Sequence, residues 1–384
     1  MHRVLVISFS DLNHDARVKR QVSFFGSEHD VTIACYSGPE KLKIIKIHPP
    51  RLSIIYKVIS GLLLLTRLYN KAYQLLYNQN LNLKKDFDLI VANDIEALPL
   101  AFQLKGKAKI IFDAHEYAPR HFENKLSWRI FFQGFNIFLC KKYIPQVDGM
   151  ITIGEGIAKE YEKHFGIKPT IITNAPPFHS LDPKPVNLQK IKLVHQGIAN
   201  PSRKLELMFE MMEHLDERFQ LDLMLMEPTF KSGTAYLKHL KVLAQKDNRI
   251  NFVPARPTHE LIAALNEYDI GVVLIPPVNF NYKNTLPNKF FECIQARVAL
   301  AIGPIPEMTK ITEQYNIGVV SDDFSPKQLA AKIQELTAER INEFKKNTVQ
   351  AAHDLNAENN QEIFKEVVLS SIGQLRMSKP IQSH

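Results

Sequence analysis

The sequence predicts an α/β protein built from two Rossmann-like domains, each a parallel sheet with helices on both faces. Three observations carry this expectation. Short continuous apolar runs recur between segments of helical period, the pattern of strands buried on both faces. A proline-rich passage, NAPPFHSLDPKP, interrupts the alternation near the middle and reads as a domain linker. The 384 residues also exceed what one core of ordinary size organises.

The elements follow in order. RVLVISFS is a first strand, with no cleavage-site pattern that would make it a signal peptide. Asp15 stands where it caps the helix DARVKRQVSFFG, and DVTIACYS is the second strand. After a basic stretch come the strands in DFDLIVAND, AKIIFDAHE and DGMITIG, the last leading into the helix of EGIAKEYEKHFG. Beyond the linker the alternation restarts with IKLVHQGI, a helix through KLELMFEMMEHL, FQLDLMLME, RINFVPA, a helix through HELIAALNEY, DIGVVLIP, a helix opened by NTLPNKFFE, VALAIG and IGVVS. From Ser325 onward the pattern is helical, with no strand left to pair. The expected organisation is an N-terminal domain over 1–175, a C-terminal domain over 190–355 and a helical segment over 356–384.

Composition is that of a soluble globular protein, and the three cysteines, Cys35, Cys140 and Cys293, lie far apart without zinc-ligand spacing, which fits a reducing cytoplasm. The net charge of +8 is unevenly placed. Residues 41–85 contain nine basic residues (Lys41, Lys43, Lys46, Arg51, Lys57, Arg67, Lys71, Lys84, Lys85) and no Asp or Glu, leaving the rest of the chain at about −1. The apolar run inside this segment is too short and too interrupted to span a bilayer. Two readings stand: a buried helix pair with snorkelling lysines, or an interfacial element laying Leu62 to Leu65 and Tyr69 on an anionic membrane at the inner face of the plasma membrane. Nucleic acid is a weaker alternative, since no RNA- or DNA-binding module accompanies the charge.

Two α/β domains imply a cleft, and in open parallel sheets ligands bind beyond the carboxyl ends of the strands. The unusual polar residues fall at such ends: Asp94, His115 with Glu116, Gly154 to Gly156, Gln196 with Gly197, and Arg256. The one D-x-D, at Asp86 and Asp88, opens a buried strand, and no ligand spacing calls for a metal. SFSDLNHD after the first strand lacks the G-x-G-x-x-G of a dinucleotide oxidoreductase.

Lys289 in NTLPNKFFE raises a separate question. Asn284 or Thr285 is placed to cap this helix, and a lysine in a first turn sits at the positive end of the macrodipole, where a cation is disfavoured by up to about 1 kcal/mol. Either Glu292, three residues on, or an anionic ligand such as a phosphate would justify it.

With NTLPNKFFE, CIQARVALAIGPIPEM and IGVV, together with DARVKRQV, FDAHE, ITIGEGIAKEY, IITNAPPF, GIANPSRKLELMFEMM and DLNAENNQEIFKE, the chain resembles the retaining glycosyltransferases of family 4 over nearly its whole length. The resemblance implies the two-domain GT-B fold, a last helix that crosses back to the N-terminal domain, and a nucleotide-sugar held mainly by the C-terminal domain. It implies a hexosyltransferase acting with retention and without a metal on a saccharide or lipid-linked acceptor, as in polysaccharide biosynthesis. Glu292 matches the second glutamate of the family motif and would accept both ribose hydroxyls. Asn284 stands where the first glutamate does, and Ile198 stands where an arginine clamps the diphosphate. Arg203 and Lys204 fall near the clamping lysine, and Lys289 is placed to supply the missing cation, with Arg256 and Asn288 in the same donor site. LPNK-type variants occur within the family. His115 would contact the reacting sugar, and Asp15, Arg17 and Glu116 would line the acceptor side. Two alternatives remain: a non-catalytic scaffold that binds nucleotide-sugar or membrane, and a nucleotide-sugar epimerase.

Overall fold

The computed structural model describes residues 2–26, 29–50, 53–77, 79, 81, 83–228 and 230–373. Arg51 and the segment 374–384, which belong to the expectations above, lie outside the described residues. The chain divides into two compact units: residues 1–173 with 279–281 and 361–384, and residues 174–278 with 282–360.

The first unit is built on a seven-stranded parallel sheet: β1 (Arg3–Ser8), β2 (Asp30–Cys35), β3 (Ile44–Lys46), β4 (Leu89–Asn93), β5 (Lys109–Ala114), β6 (Gly149–Thr152) and β7 (Thr170–Ile171), in the order β3-β2-β1-β4-β5-β6-β7. The inner strand β1 pairs Arg3 with Asp30 on one side and Val4 with Leu89 on the other, and the reversal of strand order at this point is the topological switch of a doubly wound sheet. Both sheet faces are apolar. One carries Leu5, Ile7, Ile90 and Phe112, the other Val4, Val6, Val91 and Ile111. The second unit repeats the plan with six parallel strands, β8 (Ile191–Ile198), β9 (Phe219–Met226), β10 (Ile250–Phe252), β11 (Ile270–Val273), β12 (Ala299–Ile302) and β13 (Gly318–Val320), in the order β10-β9-β8-β11-β12-β13.

Local signals set most boundaries. Helix α1 (Ala16–Phe25) starts on Asp15, whose carboxylate accepts the Val18 amide at 3.0 Å. The helix Glu155–Phe165 stops on Gly166 in the left-handed region at φ 72°. The last helix, Ala357–Ile372, enters the first unit at Gln361, and Phe364 packs edge-on against Phe24 and Phe25 at 4.8 and 5.9 Å.

Several expectations need correction. Strands β3 and β7 and the helices Ala97–Leu104, Gly134–Tyr143 and Lys231–Ala244 were not anticipated. The helix Asn288–Gln295 has Pro287 as its N-cap with no side-chain capping bond, so neither Asn284 nor Thr285 caps it; the fixed φ of the proline pre-sets the entry instead. In the basic segment, α2 (Ile54–Leu65) and α3 (Tyr69–Tyr77) form a helix pair. Leu64 is only 3% exposed, and Tyr69 packs against the rings of Phe135 and Phe138 at 6.0 and 5.2 Å. Of the side chains expected on a membrane, these two instead anchor the pair to its own unit.

Candidate functional site

Each unit gathers polar side chains at the carboxyl ends of its central strands. In the first unit the foundation is Asp113, fully buried in β5. Arg17 on α1 grips both its oxygens, Nε to Oδ2 and Nη2 to Oδ1 at 2.7 Å each, and donates from Nη1 to the Ile172 carbonyl at 3.0 Å. Gln21 also donates to Asp113. Burial alone would raise the Asp113 carboxyl, but the Arg17 guanidinium and the His115 imidazole outweigh it and hold it well below the usual carboxylate range. Arg17 is thereby committed to tying α1 to β5.

His115 follows β5 and is bracketed by acids. Its Nδ1 lies 3.3 Å from Asp94 Oδ2, and its Nε2 lies 3.6 Å from Asp113 Oδ2 and 3.2 Å from Asn93 Oδ1. Burial opposes the imidazolium, yet Asp94 and Asp113 push its pKa up to about 9. Asp94 takes a left-handed φ of 62°, a strained conformation that aspartate tolerates better than most residues. A cavity of about 260 Å³ opens beside it, walled by Asp94, Glu96, Glu116, His121, Ser8 and Ser10, with the aromatic rings of Phe9, Tyr36 and Tyr77. Burial and then the neighbouring Asp94 raise the Glu96 carboxyl to about 7. Glu116 pairs with His121 at 2.9 Å and accepts from Asn281 at 3.2 Å. Asp15, besides capping α1, accepts from Ser10 at 2.7 Å.

In the second unit the site forms where β8 meets the helix Asn288–Gln295. Lys289 is 5% exposed, and its Nζ lies 2.7 Å from His195 Nε2. His195 is buried in β8, and its Nδ1 lies 2.8 Å from the Val272 carbonyl. A carbonyl only accepts, so Nδ1 carries the proton and Nε2 receives the bond from the lysine. Of the two readings of Lys289, a pair on the surface with Glu292 does not describe a lysine turned inward to His195. Burial, followed by repulsion from Arg203, lowers the Lys289 ammonium well below its ordinary value, with Glu292 only partly offsetting this. Burial and the charge of Lys289 keep His195 neutral.

Gly197, two residues after His195, shows where the cations point. Its φ of 129° suits glycine alone, and a Cβ there would meet Arg203 Nη1 at 3.2 Å and Lys289 Nζ at 3.3 Å. Arg203, in the turn Pro201–Arg203, rests its Nη1 3.4 Å from the Ile198 carbonyl. Two cations thus converge on half-buried backbone at a strand end, an arrangement that fits an anion. Glu292 accepts from Gln196 at 3.3 Å and shares the outer helix face with exposed Asn288, one turn away. Lys204 and Arg256 are exposed, and Asn284 is half-buried ahead of the helix. Among the described residues no group of three or more His, Cys, Asp or Glu is placed to hold a metal ion.

His195, Asp113 and Glu96 were missed in the sequence. The signal for the first two was available, since each is a polar residue inside a run of strand-forming apolar residues, where burial demands a specific partner.

Residues 24–182 match the family model described as Glycosyltransferase Family 4. No curated protein matches the chain in sequence. Among solved structures, sucrose-phosphate synthase from Thermosynechococcus elongatus is 13% identical and superposes with a TM-score of 0.69 over 96% of this chain and 98% of its own. Anabaena HepE in complex with UDP and glucose is 12% identical, with a TM-score of 0.68 over 96% of this chain and 100% of its own. A variant of S. aureus TarM in complex with fondaparinux, α-GlcNAc-glycerol and UDP is 12% identical, with a TM-score of 0.67 over 96% and 99%. At such identities the likeness speaks to fold. Two all-parallel Rossmann-like sheets and the likeness to these solved structures give the chain the GT-B fold, and its residues 24–182 match the Family 4 model.

Proposed function

We propose that the protein transfers a hexose from a nucleotide-sugar to a saccharide or lipid-linked acceptor, with retention of configuration and without a metal ion, in cytoplasmic polysaccharide biosynthesis. The observation that carries this reading is the convergence of Arg203 and Lys289 at Gly197. As the bond from the anomeric carbon to the diphosphate oxygen breaks, its electron pair leaves with the diphosphate. Fixed cations at that point stabilise the departing charge more than they stabilise the ground state. Glu292 holds the ribose hydroxyls, with Asn288 on the same helix face; Lys204 and Arg256 add positive charge toward the donor; Asn284 bonds a sugar hydroxyl.

The first unit supplies the other reactant. His115, kept as an imidazolium by Asp94 and Asp113, presents positive charge to the reacting sugar. Glu116 and Asp15 line the acceptor side, and Arg17 acts through Asp113 to hold His115 in place. The acceptor oxygen bonds to the anomeric carbon on the face the diphosphate leaves, and its proton passes to the departing diphosphate oxygen, so configuration is retained. HepE and TarM were each solved with UDP, which makes UDP-sugars the first donors to test.

Asn284 and Ile198 favour a second reading, a nucleotide-sugar-binding scaffold, because each lacks the charge expected at its position. Incubation with a panel of UDP-, GDP- and ADP-sugars decides. Nucleotide release that requires an acceptor supports transfer; an isomerised donor means an epimerase; bound but unreacted nucleotide means a scaffold.

A further inference from the structure

Helix α2 turns an apolar face outward. Ile54, Ile55, Val58, Ile59, Leu62 and Leu65 are all exposed, Ile54 by 79%, and at about 100° per residue they fall within an arc of about 140°. The opposite face is fixed to the unit: Leu64 and Ser60 are buried, and Gly61 faces Phe131, where a Cβ would lie in ordinary van der Waals contact at 3.5 Å from the ring. The segment carrying Phe131 adds two more exposed side chains beside α2, Leu126 at 67% and Ile130. Ten of the sixteen exposed large hydrophobic side chains among the described residues fall between 54 and 130, a concentration that marks an interaction surface.

Charge selects the occupant. Residues 41–85 carry nine basic residues and residues 124–147 carry four, Lys125, Arg129, Lys141 and Lys142, with no Asp or Glu in either. Lys57, Arg67, Lys71, Lys125 and Arg129 are exposed. A second copy of this chain would bring like charges together around the apolar face. An anionic lipid surface complements both features at once. We propose that the outer face of α2, with Leu126 and Ile130, seats the N-terminal unit on an anionic bilayer. The helix lies in the interface: its 12 residues reach only about 18 Å against a hydrocarbon core of about 30 Å, and no helix of the described residues is long and apolar enough to cross.

Co-sedimentation of the full chain with vesicles tests this. The chain should pellet with phosphatidylcholine vesicles containing phosphatidylglycerol, not with phosphatidylcholine alone, and salt should release it. The double variant Ile55→Ser, Leu62→Ser should lower partitioning on the order of tenfold or more, since several methylenes no longer enter the interface. Its fold should be retained, because both side chains are exposed; matching circular dichroism checks this, and Lys57→Glu with Arg129→Glu gives an independent loss. Equal sedimentation with both vesicles, none with either, or an unaffected pair of variants overturns the proposal. So does a dimer in light scattering that the serine variant dissolves without any vesicle binding, which would make a second copy the occupant.

Discussion

Lys289 donates to the neutral Nε2 of His195 at 2.7 Å, so a buried ammonium rests on an imidazole that accepts its hydrogen bond but cannot cancel its charge. Such a cation is stabilised by an arriving anion. In the free protein its pKa is depressed; a bound diphosphate raises it. Above the free-state pKa, binding therefore takes up a proton, and affinity for a nucleoside diphosphate should fall as pH rises, by up to about tenfold per pH unit. Calorimetry in buffers of different ionisation enthalpy measures that uptake, and the nucleoside alone should show none.

Gly197→Ala should act on the same site from the backbone side. A methyl at φ 129° is strained, and it would press on both cations. Diphosphate affinity should drop by about 1 to 3 kcal/mol, the range for hydrogen bonds to charged groups, while the circular dichroism spectrum is unchanged.

Glu292→Gln should weaken nucleotide and nucleoside binding alike by about 1.5 to 3 kcal/mol, because the ribose contact is common to both. Equal affinity of variant and parent would remove Glu292 from the ribose.

The buried pair in the first unit makes a stability prediction. Arg17→Ala removes the bidentate partner of buried Asp113, leaving only Gln21 and His115 beside it, and should cost about 3 to 5 kcal/mol in denaturant unfolding. Asp113→Asn should bring the His115 pKa down from about 9, read by NMR titration of the imidazole. The signs fix a pH window. Asp113, lowered in the fold, stabilises above its unfolded value of about 4. His115, raised in the fold, stabilises fully below its unfolded value of about 6.5 and loses this as pH passes about 9. This network should contribute most between about pH 4 and 6.5.

Several of the strands legible in the sequence hold four continuous apolar residues, VLVI in β1 and LIVA in β4, because burial on both faces writes itself into composition. Strands β3 and β7, three and two residues long at the sheet's edges, have too few positions to show a period. Strand-end logic located His115, Asp94 and Gly197, but it could not say which way a side chain turns. For Lys289 the spacing left both Glu292 and an anionic ligand open; the helix sends the lysine to His195 and the glutamate to Gln196, both in β8. For Tyr69 the sequence left a buried and a membrane-facing reading open, because its aromatic partners lie sixty-odd residues away, in the helix from Gly134 to Tyr143.

The central claim is that Arg203 and Lys289 form one diphosphate site, and calorimetry of Lys289→Ala with a nucleoside diphosphate and with the matching nucleoside tests it most directly. The account predicts that the variant loses about 1 to 3 kcal/mol toward the diphosphate and almost nothing toward the nucleoside, with partial recovery on adding Ile198→Arg. An unchanged ratio of the two affinities in a folded variant would contradict it.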